Sequence, residues 1–518
     1  MGGDLSPGHR HHDAPAQIGK LLLLIGVTSI LLIQLPNSIW DPIGGVFLMT
    51  VGVLAVWRYA WWFTHFVRSR IYALVLFPTL RASAQQIWND GWRPRMLHFM
   101  MVTFRERRET TEAVLDSIVQ ECRITGVPAR LFVGTGDPSD ERIIEEYFAA
   151  EAPDVDLDVV IVRQNQPGKR FAIGLVLRAL SRHGVEREDL VVFMDGDSII
   201  QEGLIEKCAP IFAARPRLGA LTTNEIAIVS GPRWMQSWHD LRFAQRRLVM
   251  ESHSVSRKVL TLTGRLSIFR GEIVVDEDFI RTIESDNLEH WLWGRFRFLS
   301  GDDKSTWYWV LKNQYEMLYV PDAFCTTIEN IEANPYFRLQ QNLLRWSGNM
   351  LRNGTRAILL GPRRTGSFIW WCLIDQRIAM WTVLTGPTLA VLLALVRGPQ
   401  ILVAYLIWVM ATRLALSCVL FFYARGVYAS FPMLLFLNQI TTSVIKVYLL
   451  FRMSKQRWLN RGDQRVPAGA ANMLAFQRFM AGFITVFYVA LLIFAIAVYS
   501  GALQLTHWQN AIGWLFHA

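Results

Sequence analysis

The stretch Val191-Val-Phe-Met-Asp-Gly-Asp-Ser198 decides the fold that this sequence predicts. The apolar run at its start is typical of a β-strand that is buried on both faces. Two carboxylates, Asp195 and Asp197, follow where the strand ends, and the glycine between them permits close approach of another group. Such a tripeptide is more often an ordinary turn. Its position after a buried strand favours a ligand site instead.

Short apolar runs of this kind recur through residues 93–361, separated by charged helical stretches such as 141–151. They lie at residues 96–104, 130–134, 157–163 and 190–194. Strands that alternate with helices predict a parallel sheet covered by helices on both faces. Ligands bind at the carboxyl ends of the strands in such a sheet, which is where Asp195 and Asp197 are expected.

The composition indicates a membrane protein with one large soluble domain. Of 518 residues, 52% are hydrophobic, and the 20 Trp and 30 Phe fit bilayer interfaces as well as a globular core. The net charge of +10 fits either anionic substrates and an anionic leaflet or basic cytoplasmic loops. The basic residues form no stripe or nucleic-acid motif, so no nucleic-acid partner is expected. The five cysteines lack metal-type spacing and are expected to be reduced.

Two apolar blocks of membrane-spanning length precede the central domain, at residues 18–35 and 42–66. Residues 1–17 form a polar leader that is expected to be disordered. The link at 36–41 carries no Lys or Arg, whereas basic residues follow the second block. Because basic loops stay in the cytoplasm, the link is expected outside, with the leader and the central domain on the cytoplasmic side.

Apolar blocks resume in the C-terminal part, residues 367–518. A Trp-rich stretch at 367–377 predicts an interfacial helix. Candidate spans follow at residues 378–396, 400–424, 430–453 and 479–500. Counting every block as a span places the strongly basic loop at about 452–478 outside the cell, against the positive-inside rule. The unusually polar block 430–453 is therefore the candidate for an interfacial or re-entrant segment, and the number of spans stays open.

A basic motif precedes the predicted helix that follows the third strand. It reads Gln166-Pro-Gly-Lys-Arg-Phe171. Lys169 and Arg170 would lie near the helix N-terminus, where backbone N–H groups and the helix dipole also favour phosphate oxygens. The motif thus predicts contacts to a diphosphate, with a solvated basic turn as the alternative.

Two further loops follow predicted strands and are placed to meet a nucleotide. Thr103-Phe-Arg-Glu106 follows the first strand and offers Thr103 and Arg105. Asp137 follows the second strand, where it would contact the base or the ribose. Both predictions rest on position alone, and an ordinary polar loop is the alternative for Asp137.

The candidate catalytic groups come later in the chain. Gly301-Asp302-Asp303 offers a carboxylate that could take a proton, and adjacent acids raise each other's pKa, which helps a base to work near neutral pH. A helix N-cap is the alternative reading of Asp302, and both roles are compatible. Arg345-Trp346 supplies a cation for phosphate and a flat ring for stacking on a sugar, unless it is an interfacial Arg beside a core Trp.

Taken together, these motifs resemble those of the membrane-embedded processive family-2 glycosyltransferases, which include cellulose, hyaluronan and alginate synthases. The match extends to one branch, the catalytic subunits of bacterial alginate polymerase, or mannuronan synthases, and covers about residues 20–500. The stretches that carry it include Leu221-Thr-Thr-Asn-Glu225, Trp238-His-Asp-Leu-Arg-Phe-Ala-Gln-Arg246, Leu260-Thr-Leu-Thr-Gly-Arg265 and Arg345-Trp-Ser-Gly-Asn349.

The resemblance implies a GT-A-like (Rossmann-like) α/β glycosyltransferase domain in the cytoplasm, inserted between N- and C-terminal transmembrane helices of the bacterial inner membrane. GDP-mannuronic acid would be the donor for an inverting single displacement onto a growing β-1,4-linked polysaccharide. The implied roles are a catalytic base (Asp303), ligands of Mg²⁺ or Mn²⁺ (Asp195, Asp197), diphosphate contacts (Lys169, Arg170, Arg345), acceptor contacts (Thr263, Gly264, Arg265, Asp302, Trp346) and a gating loop (Arg457, Trp458).

The resemblance also implies a separate PilZ-type partner that binds cyclic-di-GMP. One departure concerns the sugar: where the branch usually reads Val-Glu-His-Pro-Pro, this chain reads Ile328-Glu-Asn-Ile-Glu-Ala-Asn-Pro335. A uronic acid requires a cation, for which Arg265, His239, Arg242 and Lys258 are candidates. Three alternatives remain: a synthase for another nucleotide sugar, such as a UDP-sugar; a non-processive transferase that loads a lipid; and a non-catalytic transporter or scaffold.

Overall fold

The structure, a computed structural model, describes residues 14–35, 46–152, 155, 157–166, 168–331, 334–458, 464–465, 471–499 and 503. Side chains are described within these ranges except at 46–53, 457–458, 464–465, 471 and 499. Residues 1–13 of the predicted leader lie outside the described part. Its last residues, 14–17, are helical rather than disordered, since a proline in the first turn suits a helix start.

The N-terminal part consists of three α-helices and one π-helical turn. They are α1 (Ala14–Ile33), α2 (Val46–Ile71), the π-helical turn (Tyr72–Leu76) and α3 (Phe77–Asn89). Apolar residues of α3, such as Leu80 and Trp88, are buried against the central domain. Helix α3 therefore connects the membrane segment rigidly to that domain.

The central domain is built on an eight-stranded sheet with two small hairpins elsewhere. The strands are β1 (Leu97–Val102), β2 (Ala129–Thr135), β3 (Leu157–Arg163), β4 (Leu190–Asp195), β5 (Ser198–Ile200), β6 (Leu218–Ser230), β7 (Leu266–Arg270), β8 (Asn287–His290), β9 (Gly294–Arg297), β10 (Glu316–Asn330), β11 (Arg457–Trp458) and β12 (Gln464–Arg465). The order in the large sheet is β3-β2-β1-β4-β7-β6-β10-β5.

The sheet is mixed, so the expectation of a parallel sheet is correct for one half only. Strands β3, β2, β1 and β4 are mutually parallel, as the alternation of strands and helices predicts. Strand β7 is antiparallel to both of its neighbours, β4 and β6, and β5 is antiparallel to β10. The reversal arises because the segment between β6 and β7, which contains α8, brings the chain back to the carboxyl edge, where β7 begins beside the end of β4.

Helices cover both faces of the sheet. They are α4 (Arg108–Thr125), α5 (Pro138–Ala150), α6 (Lys169–Arg182), α7 (Leu204–Ala214), α8 (Arg233–Ser254), α9 (Gly271–Val274), α10 (Glu277–Ser285), α11 (Asp302–Lys312), α12 (Pro335–Leu359) and α13 (Gly361–Thr365). Alternate residues of β4 enter opposite cores, Val192 on the side of α4 and α7 and Phe193 on the side of α6 and α10. Burial of each such side chain contributes about 1.5–3 kcal/mol, which explains the uninterrupted apolar run.

The C-terminal part forms a helical bundle. Its helices are α14 (Ser367–Arg397), α15 (Gln400–Leu420), α16 (Phe431–Leu450) and α17 (Ala471–Tyr499). Within the described residues, five helices are long and apolar enough to cross a membrane: α1, α14, α15, α16 and a portion of α17 at 472–498. The stretch 367–377 is not a separate helix, because it continues without a break into the rest of α14. Its Asp375 is paired with Arg58 of α2.

Two helices of the central domain pack on the membrane helices. Leu241 and Leu248 of α8 share a core with Phe431 and Leu435 of α16. Leu351 of α12 packs against Val447 of α16 in another. Helix α16 is therefore both long enough for a span and partly covered by the central domain, which places the carboxyl edge of the sheet close to the bundle.

Candidate active site

The strand register gathers the predicted ligands at one edge of the sheet. In the pairing of β1 with β4, Val102 lies opposite Asp195, and in that of β1 with β2 it lies opposite Gly134. Thr103 follows β1 directly and lies beneath the turn after β4. A Cβ atom on Gly196 would come within 2.7 Å of the Thr103 Cβ, so only glycine fits between the two carboxylates.

Asp195 and Asp197 are two negative charges close to each other, and burial adds to the cost of keeping Asp197 ionised. Burial, and then the charge of Asp195, raise the pKa of Asp197 to about 7. The Oδ1 atom of Asp197 is buried and has no hydrogen-bond partner. Such an orphaned carboxylate oxygen beside a second carboxylate fits a hard divalent cation, which prefers oxygen ligands and neutralises both charges. Asp195 and Asp197 are the residues that would hold it.

Lys169 supplies a positive charge at the same place. Its Nζ atom lies 2.5 Å from Asp195 Oδ1 and 3.1 Å from Asp302 Oδ2. Gly264 lies above this bridge, since a Cβ there would be 3.5 Å from both Asp195 Oδ2 and Lys169 Nζ. The ammonium group therefore joins the strand-end carboxylate to the start of α11 and faces the same space as Gly264.

The segment around Gly264 is fixed by a buried ionic network. Arg265 Nη1 lies 3.1 Å from Glu225 Oε2, and its Nη2 lies 3.6 Å from Glu329 Oε1. The Thr263 hydroxyl donates to Leu266 O at 3.1 Å, which closes the turn. Because two carboxylates neutralise Arg265, its main effect in this structure is to position the turn rather than to offer an uncompensated charge.

The acidic pair at the start of α11 has two distinct electrostatic environments. Burial favours a raised pKa for Asp302, but the charges of Lys169 and Arg170 outweigh it and lower that pKa. Burial, and then the negative charge of Asp302, raise the pKa of Asp303. One acid thus stays ionised and paired, while its neighbour has the proton affinity that a general base requires.

These groups line one cavity of about 490 Å³, here called the site cavity. Arg345 and Trp346 of α12 close its far side, with Arg345 Nη2 donating to Asn342 Oδ1 at 3.4 Å. Burial, and then the neighbouring charge of Arg338, lower the pKa of Arg345. Carboxylates for a cation, a candidate base, cations and an indole ring therefore face a single space large enough for a sugar nucleotide.

Two more cavities lie between the site cavity and the helical bundle. The first, of about 460 Å³, shares Asp303 and Trp346 with it and is here called the cationic chamber, lined by Arg242, Arg246, Arg265, Lys304, Lys446 and Glu225. The second, of about 380 Å³, lies among α2, α14 and α15 and is here called the membrane cavity. Val249 of α8 lines both of them.

Comparison with known proteins gives a consistent picture. A family model described as glycosyltransferase-like family 2 matches residues 94–349. Glycosyltransferase alg8 of Pseudomonas syringae pv. tomato is 37% identical over 453 residues, which cover 87% of this chain and 91% of that protein. Glycosyltransferase alg8 of Azotobacter vinelandii is 35% identical over 438 residues, covering 84% and 89%. The chain belongs to the alg8 family of glycosyltransferases.

Among solved structures, the chain has some similarity to the mannosyltransferase PcManGT from Pyrobaculum calidifontis in complex with GDP-Man and Mn²⁺. It has a TM-score of 0.41 and 17% identity, covering 74% of this chain and 99% of that chain. The alg8 membership and the family-2 match confirm the predicted enzyme class, the GT-A-like fold and the branch of alginate polymerase subunits. This alg8-family protein is thus an enzyme that uses a nucleotide sugar, anchored by apolar helices.

The structure brings most of the predicted site residues of the alg8-family enzyme together. Those that line the site cavity are Arg105, Lys169, Asp195, Asp197, Thr263, Gly264, Arg265, Asp302, Asp303, Arg345 and Trp346. Asp137 acts on the site through Arg105, because its carboxylate accepts a hydrogen bond from Arg105 Nε at 2.6 Å and so orients that side chain. It also accepts from Ser139 N at 2.9 Å and thereby caps α5. The side chains of the predicted gating residues, Arg457 and Trp458, lie outside the described part of the chain.

Arg170 does not face the site cavity, contrary to the predicted diphosphate contact. Its guanidinium donates to the carbonyl oxygens of Ile283 at 2.6 Å and Gly301 at 3.0 Å and to the Ser305 hydroxyl at 2.5 Å. Lys169 precedes it by one position, and one residue turns a helix by about 100°, so only one of the two can face the cavity. Arg170 instead supports the loop that presents Asp302 and Asp303.

Replacement of Arg170 by Lys tests this corrected role. Lysine cannot reach all three acceptors, and each buried polar group left without a partner costs about 1–3 kcal/mol, so the melting temperature should fall. Displacement of Asp303 should lower kcat by about 10–100-fold. The donor KM should stay unchanged, which steady-state kinetics of the detergent-solubilised enzyme would check. A raised donor KM with normal thermal stability would restore the diphosphate role, and Arg182→Lys at the exposed end of α6 is the matched control.

Residues that line the site cavity without having been predicted as site residues include Glu329, Arg338 and Asn349. Glu329 belongs to the segment 328–335, whose sequence differs from the branch motif, and its carboxylate lies 3.5 Å from Arg338 Nη2. It is also the one residue that this segment shares in type with the branch motif Val-Glu-His, which was the available signal. Asn349 accepts from the Ser300 hydroxyl at 3.0 Å and so ties α12 to the loop before Asp302.

A separate group of potential metal ligands lies at the junction with the membrane helices. His65 of α2, His253 of α8 and Cys372 of α14 are buried, and their ligand atoms lie within 4.8 Å of one another. They line the membrane cavity, whereas Asp195 and Asp197 line the site cavity. This group is therefore separate from Asp195 and Asp197, the acidic pair that fits a divalent cation.

Proposed function

We propose that this enzyme polymerises GDP-mannuronic acid into a β-1,4-linked polymannuronate and passes the product across the bacterial inner membrane as it grows. The observation that carries the proposal is that three cavities adjoin one another between the carboxyl edge of the sheet and the helical bundle. Trp346 lines both the site cavity and the cationic chamber, and Val249 lines both the chamber and the membrane cavity. An enzyme that transfers one sugar to a lipid requires no such series of cavities behind its acceptor site.

The residues of the site cavity support an inverting single displacement. The acceptor O4 attacks C1 of the donor sugar, the bond between C1 and the diphosphate oxygen breaks, and GDP leaves. Asp303, whose pKa is raised by burial and by Asp302, takes the proton from O4. Lys169, Arg105 and Arg345 face the space that a diphosphate would fill, and a ring such as that of Trp346 suits stacking against the acceptor sugar.

A divalent cation, Mg²⁺ or Mn²⁺, fits this scheme as the cofactor. When bound, such an ion neutralises the charge that develops on the leaving diphosphate. Asp195 and Asp197 would hold it through their carboxylates. Lys169 already bridges Asp195 to Asp302, so the chain itself contributes one further positive charge beside the leaving group.

The choice of a uronic acid donor rests on the alg8 membership and on charge. The cationic chamber and the site cavity together hold more cations than carboxylates, which suits a product that carries one negative charge per sugar. Glu329 does not oppose this, because Arg265 and Arg338 both lie beside it. Glu329 therefore contributes no uncompensated negative charge to the site.

The proposed arrangement places the central domain in the cytoplasm and the helical bundle in the inner membrane. The positive-inside rule is satisfied if one block is interfacial or re-entrant, with residues 430–453 as the candidate, and the packing of α16 against α8 and α12 supports the interfacial position. With α16 at the interface, the basic loop at about 452–478 remains cytoplasmic, where it can act as the gating loop. A PilZ-type subunit that binds cyclic-di-GMP is the proposed regulatory partner.

Polymer formation in membrane vesicles tests this function. Vesicles would contain the chain, its PilZ-type partner and cyclic-di-GMP, and would receive GDP-mannuronic acid, UDP-glucose or UDP-glucuronic acid. High-molecular-weight product from GDP-mannuronic acid alone is expected. Product from a UDP-sugar only would keep the mechanism but overturn the donor, whereas lipid-linked monosaccharide would overturn processive synthesis.

A further inference from the structure

The cationic chamber contains two cations that the protein does not neutralise. Arg246 lies 2.9 Å from Glu225, Arg265 is paired with the same carboxylate, and Lys304 donates to Leu260 O at 2.6 Å. By contrast, across the residues that the structure describes, Arg242 and Lys446 have neither an ion pair nor a hydrogen bond. The chamber therefore has an excess of positive charge that an external anion would compensate.

Arg242 is the better defined of the two cations. Its guanidinium lies 3.9 Å from the centre of the Trp346 ring and 4.9 Å from that of Trp238, and its Nη1 atom is buried without a partner. Burial, and then the charge of Arg265, lower its pKa to about 9. A buried cation without a counter-ion is unfavourable in the free protein, and a bound carboxylate would remove that penalty.

Lys446 approaches the same chamber from the membrane side. It belongs to α16, one turn from Thr442 and two from Asn438, and all three line the chamber. A helix with Asn, Thr and Lys on one stripe is too polar on that side for lipid but suits a hydrated, anionic sugar chain. The chamber thus combines an indole ring, two unneutralised cations and small polar side chains.

We propose that the cationic chamber is an acceptor subsite that binds the carboxylates of sugar units already added to the chain, with Arg242 and Lys446 as their counter-ions. This inference rests on the proposed function, since it requires a uronate polymer. It makes Arg242 and Lys446 residues that determine specificity for a charged polymer, distinct from the residues that contact the diphosphate. A neutral glucan would gain nothing from these two charges.

The test measures binding of a mannuronate hexamer to the full chain in nanodiscs of zwitterionic lipid. The double variant R242Q/K446Q should bind the hexamer at least 10-fold more weakly than the wild type. R242K should retain most of the affinity, because it keeps the charge. A carboxyl-reduced hexamer, which is neutral, should bind the wild type and the double variant alike. GDP affinity should not change, which shows that the site cavity is intact.

The control variant R233Q/K312Q removes two exposed charges, from the start of α8 and from the end of α11, and should leave hexamer binding unchanged. Hexamer affinity equal to wild type in R242Q/K446Q would overturn the inference. If the two cations instead hold a lipid phosphate, phosphatidylglycerol nanodiscs would show lipid binding that the double variant loses, with hexamer binding unaffected. A wild type that binds the hexamer but does not polymerise GDP-mannuronic acid would overturn the donor and leave the chamber assignment standing.

Discussion

Replacement of Asp303 by Asn is expected to stop sugar transfer while donor binding persists. Asn has the shape of Asp but cannot accept the proton from the acceptor O4, and loss of a positioned base typically costs about 10²–10⁴-fold in kcat. Burial and the charge of Asp302 raise the pKa of Asp303 in the wild type, which marks it as the member of the acidic pair suited to this task. Release of GDP from the donor measures the rate.

The D303N experiment has a matched control variant and a result that would contradict the assignment of Asp303 as the base. Asp90→Asn makes the identical change at an exposed position after α3 and should leave the rate unchanged. The donor KM of D303N should stay within about 2-fold of the wild type, since Lys169 and the metal ligands are untouched. Near-normal polymer formation by D303N would assign the base to another residue, of which Asp302 is the nearest.

Replacement of Asp197 by Asn is expected to have the second large effect. Activity should fall, whereas the stability of the metal-free protein should rise. Loss of one of two carboxylate ligands should lower kcat/KM by about 10²–10⁴-fold, because the cation's stabilisation of the leaving diphosphate is weakened. In metal-free buffer the variant should be more stable than the wild type. It removes a carboxylate whose pKa is raised to about 7 by burial and then by the charge of Asp195, and so removes the repulsion between the two.

Two measurements on D197N check these signs. Titration with GDP, with and without Mn²⁺, should show metal-enhanced binding by the wild type and none by the variant. Thermal unfolding in the presence of a chelator should give a higher melting temperature for the variant, with Asp90→Asn again unchanged. Unaltered metal-enhanced binding in D197N would show that the cation is held elsewhere.

The sequence predicted the parallel half of the sheet and its acidic edge because these features are local. An apolar run such as that of β4 identifies a buried strand by itself, and the residues after it must lie at its carboxyl end. The antiparallel strand β7 was not predictable in the same way. Its five residues, Leu266–Arg270, run antiparallel to β4 and β6 only because the segment that contains α8 brings the chain back to the carboxyl edge of the sheet.

Side-chain direction and distant partners account for the remaining differences. Lys169 and Arg170 are adjacent and similar in charge, and only their positions on α6 decide that one faces the carboxylates and the other the loop at Gly301. The stretch at 367–377 suggested an interfacial helix, and Asp375 lies within it. Its partner, Arg58, lies on α2, and their pairing lets α14 continue without a break.

The central claim is that polymer growth is coupled to passage of the product through the membrane helices. Inverted vesicles that expose the central domain would receive GDP-mannuronic acid with radiolabelled sugar and then a mannuronate-cleaving lyase. We expect long polymer that resists the lyase until detergent opens the vesicles, because the product leaves the site cavity through the cationic chamber and the membrane cavity into the lumen. Polymer that the lyase degrades fully without detergent, or product limited to one or two sugars, would contradict the account.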